Sequence, residues 1–277
     1  MTAERTQGAD PAERSGGGQR RTFNTSIAHQ ARIYDYLIGG KDNFAADREA
    51  GDAMIAAQPD TVAGLRANRQ YMTRAVHYLA AEEGIRQFLD LGTGIPTAPN
   101  VHQVAQEVAP ASRVAYVDYD PVVLSYARAL MVGTPEGRTD FIDADLRDTD
   151  EILERSAQIL DFSEPVAVTV LMTLHAITDA DDPHAVIATI MRAMPPGSYL
   201  ALTHPASDID AERMAAMRER VNQLSFQQYT FRDRYQVSRF FDGLDLVAPG
   251  LVSVEQWHPA IATGRVIPVW AGVGRKR

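Results

Sequence analysis

The segment Phe88-Leu89-Asp90-Leu91-Gly92-Thr93-Gly94-Ile95-Pro96 decides how the rest of the chain is read. An apolar run enters a Gly-x-Gly turn, and helical patterning follows. Glycine suits such a turn because the backbone must bend sharply and let a ligand approach where a Cβ would intrude. The third glycine of the dinucleotide fingerprint is missing, since Ile95, Pro96 and Thr97 follow. That departure weakens the case for NAD and leaves open a nucleoside that needs no phosphate cradle. Taken alone, the turn also suits an ordinary strand-to-helix connection.

Outward from this turn, short apolar strands alternate with helices. Strands are expected at 86–91, 113–118, 139–143, 166–172 and 198–203, with helices near 100–108, 121–131, 150–158 and 183–194. Such alternation is the mark of βαβ units and a parallel sheet. Beyond Asp210 the pattern predicts a helix to about Leu224, another around 235–241, and closing strands near 251–257 and 265–273. Ahead of the turn, Ile27, Ala31, Tyr34 and Ile38 recur at helical spacing until Gly39-Gly40 interrupts them. Further helices are expected at 47–57 and from Asp60 to about Gly84, the latter with Leu65, Met72, Val76 and Leu79 on one face. The division expected is a disordered tail (1–22), a helical N-terminal cap or lid (23–84) and a seven-stranded α/β domain (85–277).

Carboxylates stand at successive strand tips. Val114-Ala115-Tyr116-Val117 ends in Asp118, which can accept from both hydroxyls of a ribose. Asp120-Pro121 reads as a helix N-cap with proline at the first helical position. Tyr119 can lie against an adenine face or stand as a loop tyrosine. At the third tip, Asp145 can accept from an adenine amino group or cap the helix near Asp150, and Leu146 offers a backbone N–H and an apolar edge.

Asp90-Leu91-Gly92-Thr93-Gly94, Tyr116-Val117-Asp118-Tyr119-Asp120-Pro121 and Asp143-Ala144-Asp145-Leu146-Arg147 resemble the successive cofactor motifs of class I methyltransferases. Met194-Pro195-Pro196-Gly197-Ser198-Tyr199-Leu200 is similar to their Pro-Gly turn before the fifth strand. Ala31-Arg32-Ile33-Tyr34-Asp35-Tyr36-Leu37-Ile38-Gly39-Gly40-Lys41-Asp42-Asn43-Phe44 resembles the N-terminal signature of one S-adenosyl methyltransferase family, formerly catalogued as a domain of unknown function. Arg66-Ala67-Asn68-Arg69 and Gln87-Phe88-Leu89-Asp90 fit the same family. The resemblance runs from about Ser26 to the C-terminus. It implies the Rossmann-like seven-stranded fold and S-adenosylmethionine as methyl donor, with S-adenosylhomocysteine as product; it implies no particular acceptor. The candidate donor-binding set is Asp90, Gly92, Thr93, Gly94, Asp118, Tyr119, Asp145 and Leu146, joined by Tyr34 and Arg69 from the N-terminal helices.

Methyl transfer from a sulfonium asks the protein to align donor and nucleophile and to exclude water. A hydroxyl acceptor also needs a base. His175, after the fourth strand in Leu174-His175-Ala176-Ile177-Thr178-Asp179, is similar to the histidine base of some O-methyltransferases, or is a packed, hydrogen-bonded histidine. His204 ends the fifth strand and is a second candidate pocket residue. His258 also ends an expected strand, but the resemblance puts that strand at the sheet edge, so a three-histidine metal site is not expected. Gly39-Gly40-Lys41-Asp42-Asn43-Phe44 reads either as a lid, with Tyr34 and Phe44 over the donor and Lys41 or Arg32 at its carboxylate, or as a plain helix-terminating loop.

Composition bounds the rest. The 277 residues contain no cysteine, which excludes disulfides, thiolate nucleophiles and cysteine-ligated metals. A net charge of -9 disfavours general binding to nucleic acid or anionic membranes. No apolar run approaches the roughly 18 residues of a membrane span, so a soluble, cytoplasmic protein is expected. The absence of an Asn/Asp-Pro-Pro-aromatic motif after the fourth strand turns the expectation from nucleic acid toward a small-molecule acceptor, with O-methylation favoured. The competing readings are a nucleoside-binding module without turnover, a nicotinamide-dependent oxidoreductase, and an RNA methyltransferase with a hidden basic face.

Overall fold

The computed structural model describes residues 24–225 and 227–277; the tail expected at 1–22 lies outside the described residues. Five parallel strands form the body of the sheet: β1 (Gln87–Leu91), β2 (Arg113–Asp118), β3 (Arg138–Asp143), β4 (Ala167–Leu171) and β5 (Tyr199–Pro205). Three more complete it: β6 (Leu244–Leu246), the two-residue β7 (Val252–Ser253) and β8 (Val269–Lys276). The strand order is β3-β2-β1-β4-β5-β8-β6, with β8 antiparallel to both β5 and β6, and β7 pairs beside β8. The sheet therefore has eight strands where seven were expected, and the doubly wound α/β architecture stands. The first three helices are α1 (Gln30–Leu37), α2 (Ala45–Ala57) and α3 (Thr61–Ala81). Between the parallel strands run α4 (Val101–Val108), α5 (Pro121–Leu130), α6 (Thr149–Ser156) and α7 (Pro183–Ala193).

The strands β1, β2, β4 and β5 are buried on both faces of the sheet, which is why they read as near-continuous apolar runs. Leu89, Leu91, Val117, Val168 and Leu202 face a layer that includes Ile152, Ile187 and Ile190. Phe88, Val114, Tyr116, Ala201 and Val273 face a layer that includes Met72, Val76, Leu79, Val104 and Trp257. Since Met72, Val76 and Leu79 belong to the sheet's own core, α3 is one of its packing helices, and the division expected at residue 84 cuts through continuous packing. α1 and α2 pack with α8 (Ala211–Leu224) through Ile33, Leu37, Met214, Met217 and Val221 in a second cluster that Leu65 of α3 also joins.

The largest departures lie near the C-terminus. The strand expected at 251–257 is reduced to β7 followed by a 3-10 turn, Val254–Gln256, because the apolar Val254 and Trp257 pack against α3 rather than along a strand. The last strand starts at Val269 and not near Arg265, and β6 escaped the sequence reading because a three-residue edge strand carries too short a pattern. The helix expected at 235–241 is α9 (Arg234–Ser238) with a 3-10 turn, Arg239–Phe241.

A buried ion pair anchors α1 to α2. Arg32 Nε lies 3.3 Å from Asp47 Oδ1, and both side chains are almost fully buried. Asp47 also accepts from the backbone N–H groups of His29 (2.9 Å) and Phe44 (2.8 Å). Removing one partner of such a pair strands the other charge. Arg32→Met should therefore lower unfolding free energy by about 3–5 kcal/mol, read as a reduced midpoint in urea.

Candidate active site

Between β1 and β4 the strand order reverses, and a doubly wound sheet opens a crevice beyond the carboxyl ends of its strands at such a point. Here the crevice is a cavity of about 680 Å³. Gly92 and Gly94 both have positive φ, 77° and 68°. At Gly92 a Cβ would collide with Thr173 Cγ2, so glycine is favoured both by conformation and by the approach of the Thr173 side chain after β4. The Gly92 N–H donates to Val117 O at 2.8 Å and that of Thr93 to the same oxygen at 3.2 Å, which locks the turn onto β2.

Asp118 closes the turn from the other side. Its Oδ2 accepts from Gly94 N and its Oδ1 from Asp120 N, both at 2.9 Å. A carboxylate offers about four lone-pair sites, so each oxygen retains acceptor capacity toward the cavity. Burial raises the Asp118 pKa, against the two backbone hydrogen bonds. Asp120 caps α5, accepting from Val122 N at 2.8 Å, with Pro121 at the first helical position. The Tyr119 hydroxyl is bound by Gln227 Nε2 and lies 3.2 Å from His29 Nε2, so this tyrosine is held in the cavity wall. Asp145 does not cap α6, whose N-cap is Asp148. Instead its carboxylate accepts from Arg147 Nε at 2.9 Å and Nη2 at 2.6 Å. Leu146 is buried in the core beneath and borders the same cavity.

The N-terminal helices supply the opposite wall. The Tyr34 hydroxyl donates to Leu65 O at 3.2 Å and accepts from Asn68 Nδ2 at 3.0 Å; Asn68 Oδ1 accepts from Thr203 Oγ1 at 2.6 Å. Thr203 Oγ1 in turn accepts from Met172 N at 2.9 Å, which holds Met172 in the left-handed region at φ 52°. Gln30 Nε2 donates to Met172 O at 2.8 Å. Arg69 borders the cavity and donates to the carbonyls of Thr97 and Pro99. The cavity thus gathers Asp90, Gly92, Thr93, Gly94, Asp118, Tyr119, Asp145, Leu146, Tyr34 and Arg69 along one wall or another.

The histidines fall differently. His175 does not border this cavity; it borders a smaller chamber of about 70 Å³ beside it. Burial, and then the Arg232 guanidinium, pulls its pKa down to about 3. The imidazole is therefore neutral throughout the neutral range, and it makes a poor base for a free hydroxyl. His204 reaches neither cavity. It is fully buried, with Nδ1 2.9 Å from Pro205 O and Nε2 3.0 Å from Arg232 Nη1, so both ring nitrogens are consumed by structure. His258 is exposed, stacked on Trp257, with Nε2 2.7 Å from Ala248 O. Among the described residues, no group of three His, Cys, Asp or Glu side chains is arranged to hold a metal.

In this structure Gly39–Phe44 forms the loop that ends α1, with the Gly39 N–H donating to Tyr36 O at 3.0 Å. That loop borders neither cavity, because the buried Asp35 carboxylate draws it inward: Oδ2 accepts from Asp42 N at 2.8 Å and from Asn43 Nδ2 at 2.9 Å. A Cβ on Gly40 would collide with Asp35 Oδ1, so the second glycine serves this packing rather than a hinge. Lys41 and Phe44 are accordingly away from the cavity, whereas Arg32 borders it while paired with Asp47. Sequence reasoning missed His29, Gln30, Thr173 and Arg232. Their partners lie far along the chain, and no local pattern marks them.

The family profile described as S-adenosyl methyltransferase matches residues 17–277. The chain belongs to that family. S-adenosylmethionine is therefore its methyl donor and transfer of the methyl group its chemistry. Among solved structures, a DUF574 family protein from Streptomyces avermitilis MA-4680 is 44% identical with a TM-score of 0.88, covering 91% of this methyltransferase and 99% of that chain. A candidate methyltransferase from Thermobifida fusca YX is 36% identical with a TM-score of 0.83, covering 91% and 96%. An O-methyltransferase family protein from Burkholderia thailandensis shares the fold at 15% identity and a TM-score of 0.53, covering 84% and 59%. No curated protein matches the sequence.

Asp90 gives this methyltransferase a measurable pH signature. Burial pushes its carboxyl up to about 6, against a hydrogen bond donated by Thr169 Oγ1. In the unfolded chain the same group titrates near 3.9. Between those values the folded state holds a proton that the unfolded state has lost, so the Asp90 contribution to stability falls as pH rises toward about 6. Asp90→Asn removes that titration. Its stability relative to wild type should rise by about 2 kcal/mol between pH 4 and pH 7, measured by urea unfolding at both.

Proposed function

We propose that this methyltransferase is a soluble, cytoplasmic enzyme that transfers the methyl group to a small-molecule acceptor, with oxygen the favoured nucleophile. In this reading Asp118 accepts from the ribose hydroxyls, while Tyr119, Asp145 and Leu146 border the adenine. Asp90, Gly92, Thr93, Gly94, Tyr34 and Arg69 surround the amino-acid end of the donor. One observation carries the assignment: the glycine turn and the carboxylates ending β2 and following β3 border a single cavity large enough for a nucleoside, and a side chain at Gly92 would collide with Thr173. When bound, S-adenosylmethionine supplies an electrophilic methyl on a sulfonium. What remains for the chain's own residues is alignment and exclusion of water. Two polar linkages serve the alignment, because Tyr34–Asn68–Thr203–Met172 and Gln30–Met172 fix the wall where the two cavities adjoin.

Oxygen is favoured because a hydroxyl is uncharged at neutral pH, whereas an alkyl amine is protonated and would be desolvated in the apolar pocket beside His175 without a counter-charge. A neutral ring can accept the hydroxyl hydrogen bond and orient an oxygen lone pair, leaving the proton to depart to solvent after transfer. A nucleic-acid acceptor is disfavoured by the net charge of -9. No helix of the described residues is long and apolar enough to cross a membrane.

Calorimetric titration with S-adenosylmethionine and S-adenosylhomocysteine tests the donor site. Micromolar binding to wild type, about -8 kcal/mol, should weaken by roughly 1.5–3 kcal/mol in Asp118→Ala as the ribose contacts are lost. Unaltered affinity in that variant would remove Asp118 from the site.

A further inference from the structure

Beside the donor cavity, lined by α1, α2, α3 and α8 together with the segments after β4 and β5, lies the chamber of about 70 Å³ that His175 borders. Gln30, Tyr34 and Met172 border both spaces, so the chamber adjoins the donor cavity across these three side chains. A single water needs about 10–15 Å³ of such space, so there is room for roughly five to seven waters, the bulk of a small substituted ring. Its wall is apolar and adaptable. Met54, Met172, Met214 and Met217 contribute unbranched, polarisable side chains that yield to a ligand's outline.

The polar groups in that wall are almost all committed elsewhere. Gln58 Nε2 donates to Asp210 Oδ2 at 2.8 Å, Thr61 Oγ1 to Gln58 O at 2.6 Å, and Gln30 Nε2 to Met172 O at 2.8 Å. Tyr34 is engaged with Leu65 and Asn68, and Asp60 is paired with Arg265 at 2.6 Å. His175 is the exception: the residue is 8% exposed and its buried Nδ1 has no hydrogen-bond partner. An orphaned buried polar atom costs stability unless something binds it. Among the described residues the wall presents no unpaired charge to balance a charged ligand.

We infer that this chamber receives the acceptor itself, and that the acceptor is an uncharged molecule with a compact apolar ring or branched alkyl group and one hydroxyl-type polar atom that meets His175. The inference rests on the methyl-transfer reading above and adds the substrate class to it. Carboxylates and ammonium compounds are excluded because the chamber would strip their water without offering a counter-charge.

The test uses the full chain with carbon-13-labelled methionine methyls, loaded with S-adenosylhomocysteine and titrated with p-cresol, p-hydroxybenzoate and toluene. With p-cresol, the Met54, Met172, Met214 and Met217 resonances should shift, among the nine methionines of the chain. Binding of p-hydroxybenzoate should be at least about tenfold weaker. His175→Phe should abolish the advantage of p-cresol over toluene, and Met217→Phe, which fills the chamber, should weaken p-cresol binding about tenfold while leaving that of S-adenosylhomocysteine unchanged. Absence of shifts at all four methionines up to about 10 mM p-cresol, or equal binding of the benzoate, overturns the proposal even if Met217→Phe fails to fold. Should wild type not bind S-adenosylhomocysteine, the donor reading falls; p-cresol shifts in the donor-free chain then still decide the chamber independently.

Discussion

The approach of Gly92 to Thr173 is the constraint on which the site depends. β1 and β4 are hydrogen-bonded neighbours whose chains part beyond their ends, one toward α4 and the other into the turn at His175. With any side chain at Gly92 the Thr173 side chain would have to give way, since the Cβ would fall on it, and the positive φ of the turn would be strained. With glycine the two turns close, and the crevice above them keeps backbone on its floor. Asp118 is then drawn under the same turn by Gly94 N, so one carboxylate both stabilises the loop and faces the space above it.

A second set of interactions determines what the site is made of. Arg232, fully buried, donates to Leu174 O at 3.0 Å, Ile177 O at 2.9 Å, His204 Nε2 at 3.0 Å and Asp179 Oδ1 at 2.7 Å. It clamps the segment after β4 and uses His204 as an acceptor. A guanidinium is suited to this because its five donors spread in a rigid plane. Burial disfavours protonation of His175, and the same cation adds to that effect. The three histidines that follow strands in the sequence are thereby resolved into one buried ring whose Nδ1 has no hydrogen-bond partner, one structural acceptor and one exposed ring stacked on Trp257.

Much of the fold is legible in the chain order of residue types. The alternation of apolar runs and helical periods marks β1 to β5 and their helices within a few residues, because each is a local pattern, and two of the helices carry their own start signal: Asp120-Pro121 begins α5 and Asp182-Pro183 begins α7. The edge strand Leu244–Leu246 and the turn at Val254–Gln256 are illegible because three residues carry no period. The membership of α3 in the sheet's core is equally hidden: an amphipathic stripe announces burial but not what covers it.

By itself the sequence determined that a Gly-x-Gly turn follows a buried strand and that carboxylates sit at the next two strand tips, since these are matters of chain order and residue type. Only the tertiary structure decided that Asp35 would tether the Gly39–Phe44 loop away from the site, that Arg147 would hold Asp145, and that His175 would border an apolar chamber as a neutral ring. The physical reason is range. Turn geometry and periodicity are properties of a few adjacent residues, whereas desolvation and the choice of a hydrogen-bond partner depend on groups that meet only when distant parts of the chain are packed together.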